Sequence, residues 1–406
     1  MRQPVKKLLL DISATCRYDL KTGIERVTRA LVMAMLESPP VGYRVEPVYL
    51  TDEGGHWHYR YATAYTLGLL ACPRDLLVDE IVVPHDGDKL LGLDLAPEML
   101  TEAQAAGLLV EFRNTGVEIR FTVYDLLPVQ LPQFFPPGAE QRHRRWLKAV
   151  SEFDGAICIS RTIANQLSSY LIDKDIPHER PFRVDWFHLG ADVENSVPTQ
   201  GMTKSAQQTL AQLRARPCFL MVGTIEPRKG YLQALAAFGR LWREGYDLGF
   251  AIVGNEGWKD LPSDMRRTIP ETVNSLRHHP EFGKRLFWFD GVSDEYLCNI
   301  YAVSTCMIAA SAGEGFGLPL IEAARHGIPI IARDIEVFRE VAADHAYYFI
   351  GDDSADLASA ITAWLKMYEA DIHPKSGEIR WLTWKQSAER LLQIALGNGV
   401  LSSVIA

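Results

Sequence analysis

The sequence lacks several features that would assign it to a class of protein at once. None of its apolar runs approaches the roughly 20 residues of a membrane-spanning helix. Its six cysteines are scattered and contain no C-x-x-C pair, which argues against a metal site or a disulfide framework. Lys and Arg number 42 against 51 Asp and Glu, a formal net charge of −9, so nucleic acid is not expected as the main partner.

The N-terminus, MRQPVKKLLLDIS, carries two lysines before a short apolar run, as a secretory signal would. Asp11 interrupts the run and no small-residue cleavage site follows, so the pattern predicts a first β-strand and a cytoplasmic protein. The chain has 406 residues, more than one hydrophobic core usually supports, which predicts two domains.

Two series of apolar, β-rich runs alternate with helical patterns along the chain. The runs are apolar throughout, which is typical of parallel strands buried on both faces. The predicted strands are 7–13, 45–50, 81–85, 119–125, 155–160 and 182–190, then 217–223, 249–254, 286–291, 305–311, 328–334 and 346–350. The predicted helices between them are 24–37, 139–150, 231–243, 317–326 and 354–368. This alternation predicts βαβ units in two doubly wound α/β domains.

A polar stretch without periodicity, residues 193–206, separates the two series and is the predicted linker. We assign residues 1–195 to an N-terminal domain and residues 205–378 to a C-terminal domain, both Rossmann-like. The last segment, 379–406, contains a helix that could pack on either domain and cross back to the first. Ligands bind at the carboxyl ends of strands in such sheets, so two facing domains would place those ends across a cleft.

Two adjacent cations follow the first strand of the second series, in GTIEPRKGYLQAL (223–235). Arg228 and Lys229 are expected at the N-terminus of a helix that begins near Gly230, where positive charges oppose the helix dipole. A bound phosphate would suit both the helix N-terminus and the basic pair. The alternative is that both side chains point into solvent or pair with an acidic residue on the surface.

A glycine-rich turn carries two acidic residues in SAGEGFGLPLIEAARHG (311–327). Its glycines allow close backbone approach to a ligand, and the amides of Phe316, Gly317 and Leu318 would line the start of the next helix. Glu314 lies before that helix and Glu322 about one turn inside it, so both could face one ligand. A carboxylate is a good acceptor for paired hydroxyls on a ribose or hexose. Taken singly, each acid could be an ordinary solvated charge.

This turn resembles the Glu-x7-Glu motif of the retaining glycosyltransferases of family 4, which have the GT-B fold. Further segments resemble the same family in order along most of the chain. They are TGIERV (22–27), YDLLPVQLPQFF (124–135), GTIEPRKG (223–230), IVGNEGW (252–258), FDGVSDEYLCNIYAVS (289–304) and TWKQSAERLL (383–392). The resemblance implies two Rossmann-like domains facing across a cleft.

The resemblance also implies a nucleotide-sugar donor bound mainly by the C-terminal domain. Arg228 and Lys229 would hold the diphosphate and stabilise the leaving group. Glu314 would hold the transferred sugar, together with the amides of residues 316–318. Glu322 would accept hydrogen bonds from the ribose hydroxyls.

Further contacts implied by the resemblance lie outside these two turns. The backbone near Val292 would contact the base, and Gly23 would lie close to the phosphates. Tyr124 replaces a histidine assigned to sugar or acceptor contact in many relatives, and tyrosine does not titrate near neutrality. Asp125 matches the family motif and is the better candidate for contact with the acceptor, although a carboxylate before Pro128 could equally form a turn. Thr224 replaces an arginine, which leaves more of the phosphate contact to Arg228.

The implied function is retaining transfer of a hexose, with GDP-mannose as the expected donor, in bacterial polysaccharide or lipopolysaccharide synthesis. The acceptor would be a saccharide or a lipid-linked saccharide. A UDP-hexose or dTDP-rhamnose donor is an alternative, as is a sugar-nucleotide 2-epimerase or a non-catalytic sugar-nucleotide-binding protein. No cofactor and no metal are expected, because the basic pair and the helix dipoles would take the role of a metal.

A basic stretch, QRHRRWLKAV (141–150), places Arg142, Arg145 and Lys148 on one helical face beside Trp146. Such a face could bind anionic lipid headgroups and hold the protein at the inner face of the plasma membrane. A solvated surface helix accounts for the same pattern and is the favoured interpretation.

Overall fold

The computed structural model describes residues 5–18, 23–174, 181–192 and 198–397, together with the backbone of 403–405. Internal contacts divide the chain into two compact units. The first unit comprises Met1–Val129, Gly138–Val197 and Leu382–Ala406. The second unit comprises Gln130–Pro137 and Pro198–Trp381.

Strands occur throughout both units. In chain order they are β1 (Lys6–Asp11), β2 (Tyr43–Glu53), β3 (His56–Tyr61), β4 (Lys89–Gly92), β5 (Glu118–Val123), β6 (Gly155–Cys158), β7 (Phe182–Trp186), β8 (Cys218–Val222), β9 (Gly249–Val253), β10 (Leu286–Phe289), β11 (Cys306–Ala309), β12 (Ile330–Arg333), β13 (Tyr347–Phe349) and β14 (Ser403–Ile405).

Helices alternate with these strands. They are α1 (Ser13–Tyr18), α2 (Gly23–Glu37), α3 (Thr63–Leu69), α4 (Pro97–Ala105), α5 (Leu108–Asn114), α6 (Leu127–Gln130), α7 (Ala139–Ser151), α8 (Arg161–Asp173), α9 (Ala206–Arg214), α10 (Tyr231–Arg243), α11 (Ile269–Arg277), α12 (Asp294–Val303), α13 (Leu318–Arg325), α14 (Glu336–Ala342), α15 (Ser354–Glu369) and α16 (Trp384–Ala395).

Each unit is built on one largely parallel sheet. The first sheet has the order β14-β7-β6-β5-β4-β1-β2-β3, in which only the two edge strands, β14 and β3, are antiparallel to their neighbours. The second sheet has the order β10-β9-β8-β11-β12-β13, and its strands are parallel. The predicted fold class, two Rossmann-like doubly wound parallel-sheet domains, is confirmed. In the second sheet the strand order reverses between β8 and β11, and such a reversal is where this architecture binds ligands.

The core of the second unit shows why its sequence adopts this fold. Every residue of β9, GFAIV, is buried, as expected of a strand covered by helices on both faces. Helix α10 buries Tyr231, Ala234, Phe238 and Leu241, which recur at helical spacing on one side. The ring of Phe238 stacks on that of Phe250, with centroids 4.3 Å apart. The apolar stripe of the helix therefore fixes it on the sheet.

Two segments belong to a different unit from their neighbours in sequence. In the second unit, Arg267 donates from Nε to the carbonyl of Phe135 at 2.6 Å, so residues 130–137 lie with that unit. In the first unit, the backbone amide of Trp384 donates to Asp192 at 2.5 Å, which fixes the start of α16. A capping box between Thr383 and Gln386 begins this helix.

The strand predicted at residues 81–85 is wrong. Only an isolated bridge joins Ile81 to Arg60, and the side chain of Val83 is 61% exposed. Pro84 cannot donate to a sheet, which explains why the pairing does not continue beyond the hydrogen bond from the amide of Val82 to the carbonyl of Tyr59. The sheet instead uses β3 and β4, two strands that were not predicted. The first, HWHYRY, is polar because it lies at an edge, and the second, KLLG, is only four residues long.

The basic helix α7 does not present an aromatic side chain beside its arginines. Trp146 is 1% exposed and packs in the core of the first unit, so that part of the prediction is wrong. Arg142 forms an ion pair with Glu98 at 3.1 Å. Contact with a membrane surface stays a prediction. Across the part of the chain that the structure describes, no helix combines the length and apolar character needed to cross a bilayer.

Candidate active site

The basic pair lies where β8 gives way to α10. Residues Pro227–Lys229 form one short 3-10 turn, and α10 begins at Tyr231. Gly230 joins the two with φ of +76°, and a Cβ there would lie 2.6 Å from the carbonyl oxygen of Ala310. Only glycine permits this approach to the end of the neighbouring strand β11. Arg228 and Lys229 are thereby held at the helix N-terminus and beside the loop that follows β11.

That loop brings Glu314 against both cations. Its Oε1 lies 2.5 Å from the Nζ of Lys229, and its Oε2 lies 2.9 Å from the Nη1 of Arg228. Ser311 donates a further hydrogen bond from Oγ to Oε1 at 2.7 Å. The Glu314 side chain is 12% exposed. The basic pair is therefore neither turned into solvent nor paired with a surface acid, but bound to the acid of the glycine-rich turn.

Arg228 has a second acidic partner. Its Nη2 lies 3.0 Å from Oε2 of Glu226, and its Nη1 also donates to the carbonyl of Gly313 at 3.0 Å. Sequence reasoning missed the roles of Glu226 and Ser311 in this network. The only signal was their position, Glu226 within E-P-R-K and Ser311 two residues after β11.

The electrostatics of the network fix the charge state of Glu314. Burial alone would raise the pKa of this carboxyl. The charges of Arg228 and Lys229, with hydrogen bonds from Lys229 and Ser311, outweigh burial and lower its pKa to about 2. Glu314 is therefore an anion at any pH at which the protein would be assayed, and it neutralises part of the charge that a diphosphate would meet.

The turn that carries Glu314 leads directly into the predicted helix. Gly317 has φ of +99°, and a Cβ there would lie 2.9 Å from the ring of Phe338, so the position requires glycine. Helix α13 begins at Leu318, with Pro319 in its first turn. The amides of Gly317 and Leu318 thus belong to the helix N-terminus, and Phe316 directly precedes them. The space enclosed beside Lys229 and Glu314 is only about 20 Å³, which holds about one water molecule.

Glu322 lies one turn into α13 and is 4% exposed. The hydroxyl of Tyr301 donates to its Oε2 at 2.9 Å. The ring of Tyr301 in turn stacks on His326, with centroids 5.1 Å apart and planes 7° from parallel. Glu322 is therefore not an ordinary solvated helix charge. Its contact with ribose hydroxyls stays a prediction.

The remaining predicted donor contacts lie in separate elements. Val292 lies in the loop between β10 and α12, where the amide of Gly291 donates to Asn255 Oδ1 at 2.7 Å. Gly23 is the first residue of α2 in the first unit, and among the described residues outside its own helix turn no atom lies within 4 Å of the position of a Cβ there. Both assignments stay predictions.

The two predicted acceptor residues differ in accessibility. Tyr124 is 4% exposed and its hydroxyl donates to the carbonyl of Leu93 at 2.6 Å, while burial raises its pKa. Its hydroxyl is therefore used inside the first unit. Asp125 is half-buried, and its Oδ1 accepts from the amide of Leu127 at 3.0 Å. Asp125 does form the turn that was considered as the alternative, and its contact with an acceptor stays a prediction.

The description of the matching family model is "Glycosyl transferases group 1", and it covers residues 205–376. The chain is 42% identical, over 97% of its length, to the serotype-specific mannosyltransferase WbdA of Escherichia coli. It spans only 45% of that relative, less than half of its length. The O-antigen chain mannosyltransferase RfbU of Salmonella typhimurium is 29% identical over 35% of this chain and 37% of its own.

Solved structures resemble the whole chain at low sequence identity. Sucrose-phosphate synthase from Thermosynechococcus elongatus superposes with a TM-score of 0.62 at 17% identity, covering 97% of each chain. A structure described as "Trehalose-6-phosphate from E. coli bound with UDP-2-fluoro glucose" superposes with a TM-score of 0.58 at 12% identity, covering 97% of this chain and 96% of its own. These likenesses show the GT-B fold.

Proposed function

Residues 205–376 belong to the glycosyltransferase group 1 family, and on this premise we propose that the protein is a retaining mannosyltransferase that uses GDP-mannose. One observation carries the proposal. The basic pair Arg228 and Lys229 and the acids Glu314 and Glu322 are assembled around the strand-order reversal of one sheet. Cations suit a diphosphate, and carboxylates suit the hydroxyls of a sugar and a ribose. The WbdA relatives, which are mannosyltransferases, support mannose as the transferred sugar.

The proposed reaction depends on electrostatic stabilisation of the departing nucleoside diphosphate. Arg228 and Lys229 would hold the diphosphate, and their charges would offset the negative charge that develops on it as the sugar leaves. In the structure both cations are bound to Glu314, so the donor has to compete with that carboxylate. A carboxylate displaced from the cations would be available to accept hydroxyls of the transferred mannose.

The acceptor in this proposal is a saccharide or lipid-linked saccharide of bacterial O-antigen or related polysaccharide synthesis, as the names of the relatives suggest. A lipid-linked acceptor would bring the enzyme to the inner face of the plasma membrane. The test is to incubate the protein with each sugar nucleotide and a mannose-terminated acceptor, and to determine the anomeric configuration of the product by NMR. Transfer from GDP-mannose with the α-configuration retained is expected. Inversion would refute the retaining mechanism, and a different preferred donor would refute GDP-mannose as the donor.

Replacing Glu322 with alanine is expected to weaken GDP binding on the order of 10-fold, because a buried carboxylate that accepts from the ribose is lost. Calorimetric titration with GDP measures the change. Glu336→Ala, an exposed glutamate at the start of α14, is the matched control and should bind GDP normally. Repeating the titration with dideoxy-GDP, which lacks both ribose hydroxyls, should abolish the difference between wild type and Glu322→Ala. Equal GDP affinity of the two proteins would reject the ribose role.

Activity is expected to survive EDTA unchanged, because Arg228 and Lys229 would supply the positive charge that a divalent cation supplies in other sites. Initial rates of mannosyl transfer with and without the chelator measure this. Loss of activity in EDTA that is restored by added Mg²⁺ would contradict the metal-independent scheme.

A further inference from the structure

A second cavity, of about 320 Å³, lies entirely within the first unit. This volume falls in the range of roughly 300–1,000 Å³ that is usual for small-molecule sites. None of the residues assigned above to donor or acceptor contact lines it. Six of the side chains that do are those of Arg17, Tyr49, Thr51, Tyr65, Arg74 and Asp79.

The cavity lies at the end of the sheet where α/β domains bind ligands. Strand β1 ends at Asp11, whose partner on β2 is Val48, so the next residues of β2, 49–51, continue past the end of β1. These residues form one wall, and helices α1 and α3 and the loop after α3 contribute the rest. The position is therefore the carboxyl edge of the parallel strands of this unit.

Asp79 is held in the wall of this cavity by two hydrogen bonds. Its Oδ2 accepts from the hydroxyl of Tyr49 at 3.1 Å, and its Oδ1 accepts from the amide of Ala64 at 3.0 Å. Within the described part of the chain, no Lys or Arg forms an ion pair with its carboxylate. Each carboxylate oxygen can accept two hydrogen bonds, so one acceptor position on each remains for a ligand. Burial and the charge of Asp79 raise the pKa of Tyr49 to about 12, which keeps its hydroxyl neutral.

The mixture of groups selects a class of ligand. The lining carries charges of both signs, the carboxylate of Asp79 and the guanidinium groups of Arg17 and Arg74. A neutral ligand whose polar groups both donate and accept satisfies all three, and adjacent sugar hydroxyls have this property. Tyr49 and Tyr65 add apolar ring surface with a polar end, which suits the face of a pyranose ring.

We propose that this cavity is a saccharide-binding site that holds one sugar unit of the acceptor glycan through Asp79 and Tyr49. The identification of the glycan as an acceptor rests on the proposed function. The presence of a saccharide site does not, because it follows from the cavity and its side chains alone.

The test is titration of the donor-free protein with mannotriose, followed by NMR or calorimetry. Asp79→Asn keeps the shape and one carbonyl oxygen but removes the charge, and the affinity for mannotriose is expected to fall on the order of 10-fold. Tyr49→Phe removes one hydroxyl and should weaken binding in the same direction by a smaller factor. Glu53→Gln on the same strand, an exposed carboxylate that binds Arg60 and lies outside the cavity lining, is the control and should leave the affinity unchanged.

Binding of mannotriose that is the same in Asp79→Asn, Tyr49→Phe and wild type would overturn the site, as would no binding to wild type at millimolar concentrations. GDP-mannose binding and transfer are measured on the same proteins to separate the two proposals. If wild type transfers mannose but the KM for the acceptor is unchanged in Asp79→Asn, the cavity proposal alone fails. If no sugar nucleotide binds to wild type, the proposed function fails, and the mannotriose titration still decides the cavity.

Discussion

Lys229→Ala is expected to lower kcat for mannosyl transfer by a factor on the order of 10² or more, because a preorganised cation beside the leaving group is lost. The backbone of Lys229 is fixed in the 3-10 turn directly before α10, so its charge is already at the helix N-terminus when charge develops on the diphosphate. Turnover at saturating GDP-mannose and acceptor measures the effect, since the loss should appear in kcat as well as in donor affinity.

Folding of the Lys229→Ala protein should be retained, because Glu314 keeps its ion pair with Arg228 and its hydrogen bond from Ser311. Thermal melting checks this. Lys259→Ala is the matched control: Lys259 is also a lysine of the second unit, but it is half-exposed and pairs with Asp290 at 3.4 Å. Its turnover should be normal. A normal kcat in Lys229→Ala would remove the central step of the proposed mechanism.

The sequence predicted the fold well wherever burial and periodicity agree. Helix α10 was predicted at residues 231–243 and occupies those residues, because its apolar stripe has helical spacing from end to end. The predictions failed at the edge of the first sheet. There β3 is polar because it has a single strand neighbour, whereas the apolar run at 81–85 joins β3 only through the bridge at Ile81. The pattern of apolar residues indicates which residues are buried. At the edge of a sheet a strand can pair while many of its side chains stay exposed, so this pattern no longer identifies the strand.

The sequence predicted which residues form the site but not which of them contact one another. Spacing along the chain places Arg228 and Lys229 after β8 and Glu314 after β11, each at the carboxyl end of a strand. That β8 and β11 are neighbours, at the reversal of strand order, is a property of the folded sheet. The contact between Lys229 and Glu314, which are 85 residues apart, follows from that adjacency. No local pattern could have shown that the acid would bind the cations in place of a ligand.

The same limit applies to residues whose polar groups form hydrogen bonds inside the protein. Tyr124 lies in a segment that resembles an acceptor-contact motif, yet its hydroxyl is bound to the carbonyl of Leu93 in the core. No sequence pattern singled out Tyr301, although its hydroxyl donates a hydrogen bond to the carboxylate of Glu322. Which side of a strand or helix faces the core decides both cases, and that depends on the packing of elements distant in sequence.

Glu314→Gln is expected to change donor binding and transfer in opposite directions. Glutamine has the shape of glutamate without its charge, so Arg228 and Lys229 would lose the anion that now lies 2.9 and 2.5 Å from them. Because the pKa of Glu314 is lowered to about 2, that anion competes with the diphosphate throughout the working pH range. GDP should therefore bind on the order of 10-fold more tightly to the variant, since a charged competitor has been removed. Calorimetric titration with GDP measures this.

Transfer by Glu314→Gln should fall on the order of 10²-fold, because the mannosyl group would lose a charged acceptor for its hydroxyls in the transition state. Glu226→Gln is the matched control, since Glu226 also pairs with Arg228, at 3.0 Å, but forms no described ion pair with Lys229. It should tighten GDP binding slightly and leave transfer nearly normal. Weaker GDP binding by Glu314→Gln would show that the carboxylate organises the cations and does not compete with the donor. Unchanged transfer would show that the transferred mannose does not hydrogen-bond to the Glu314 carboxylate. Tighter binding with slower transfer is the one result that requires both roles of the same carboxylate.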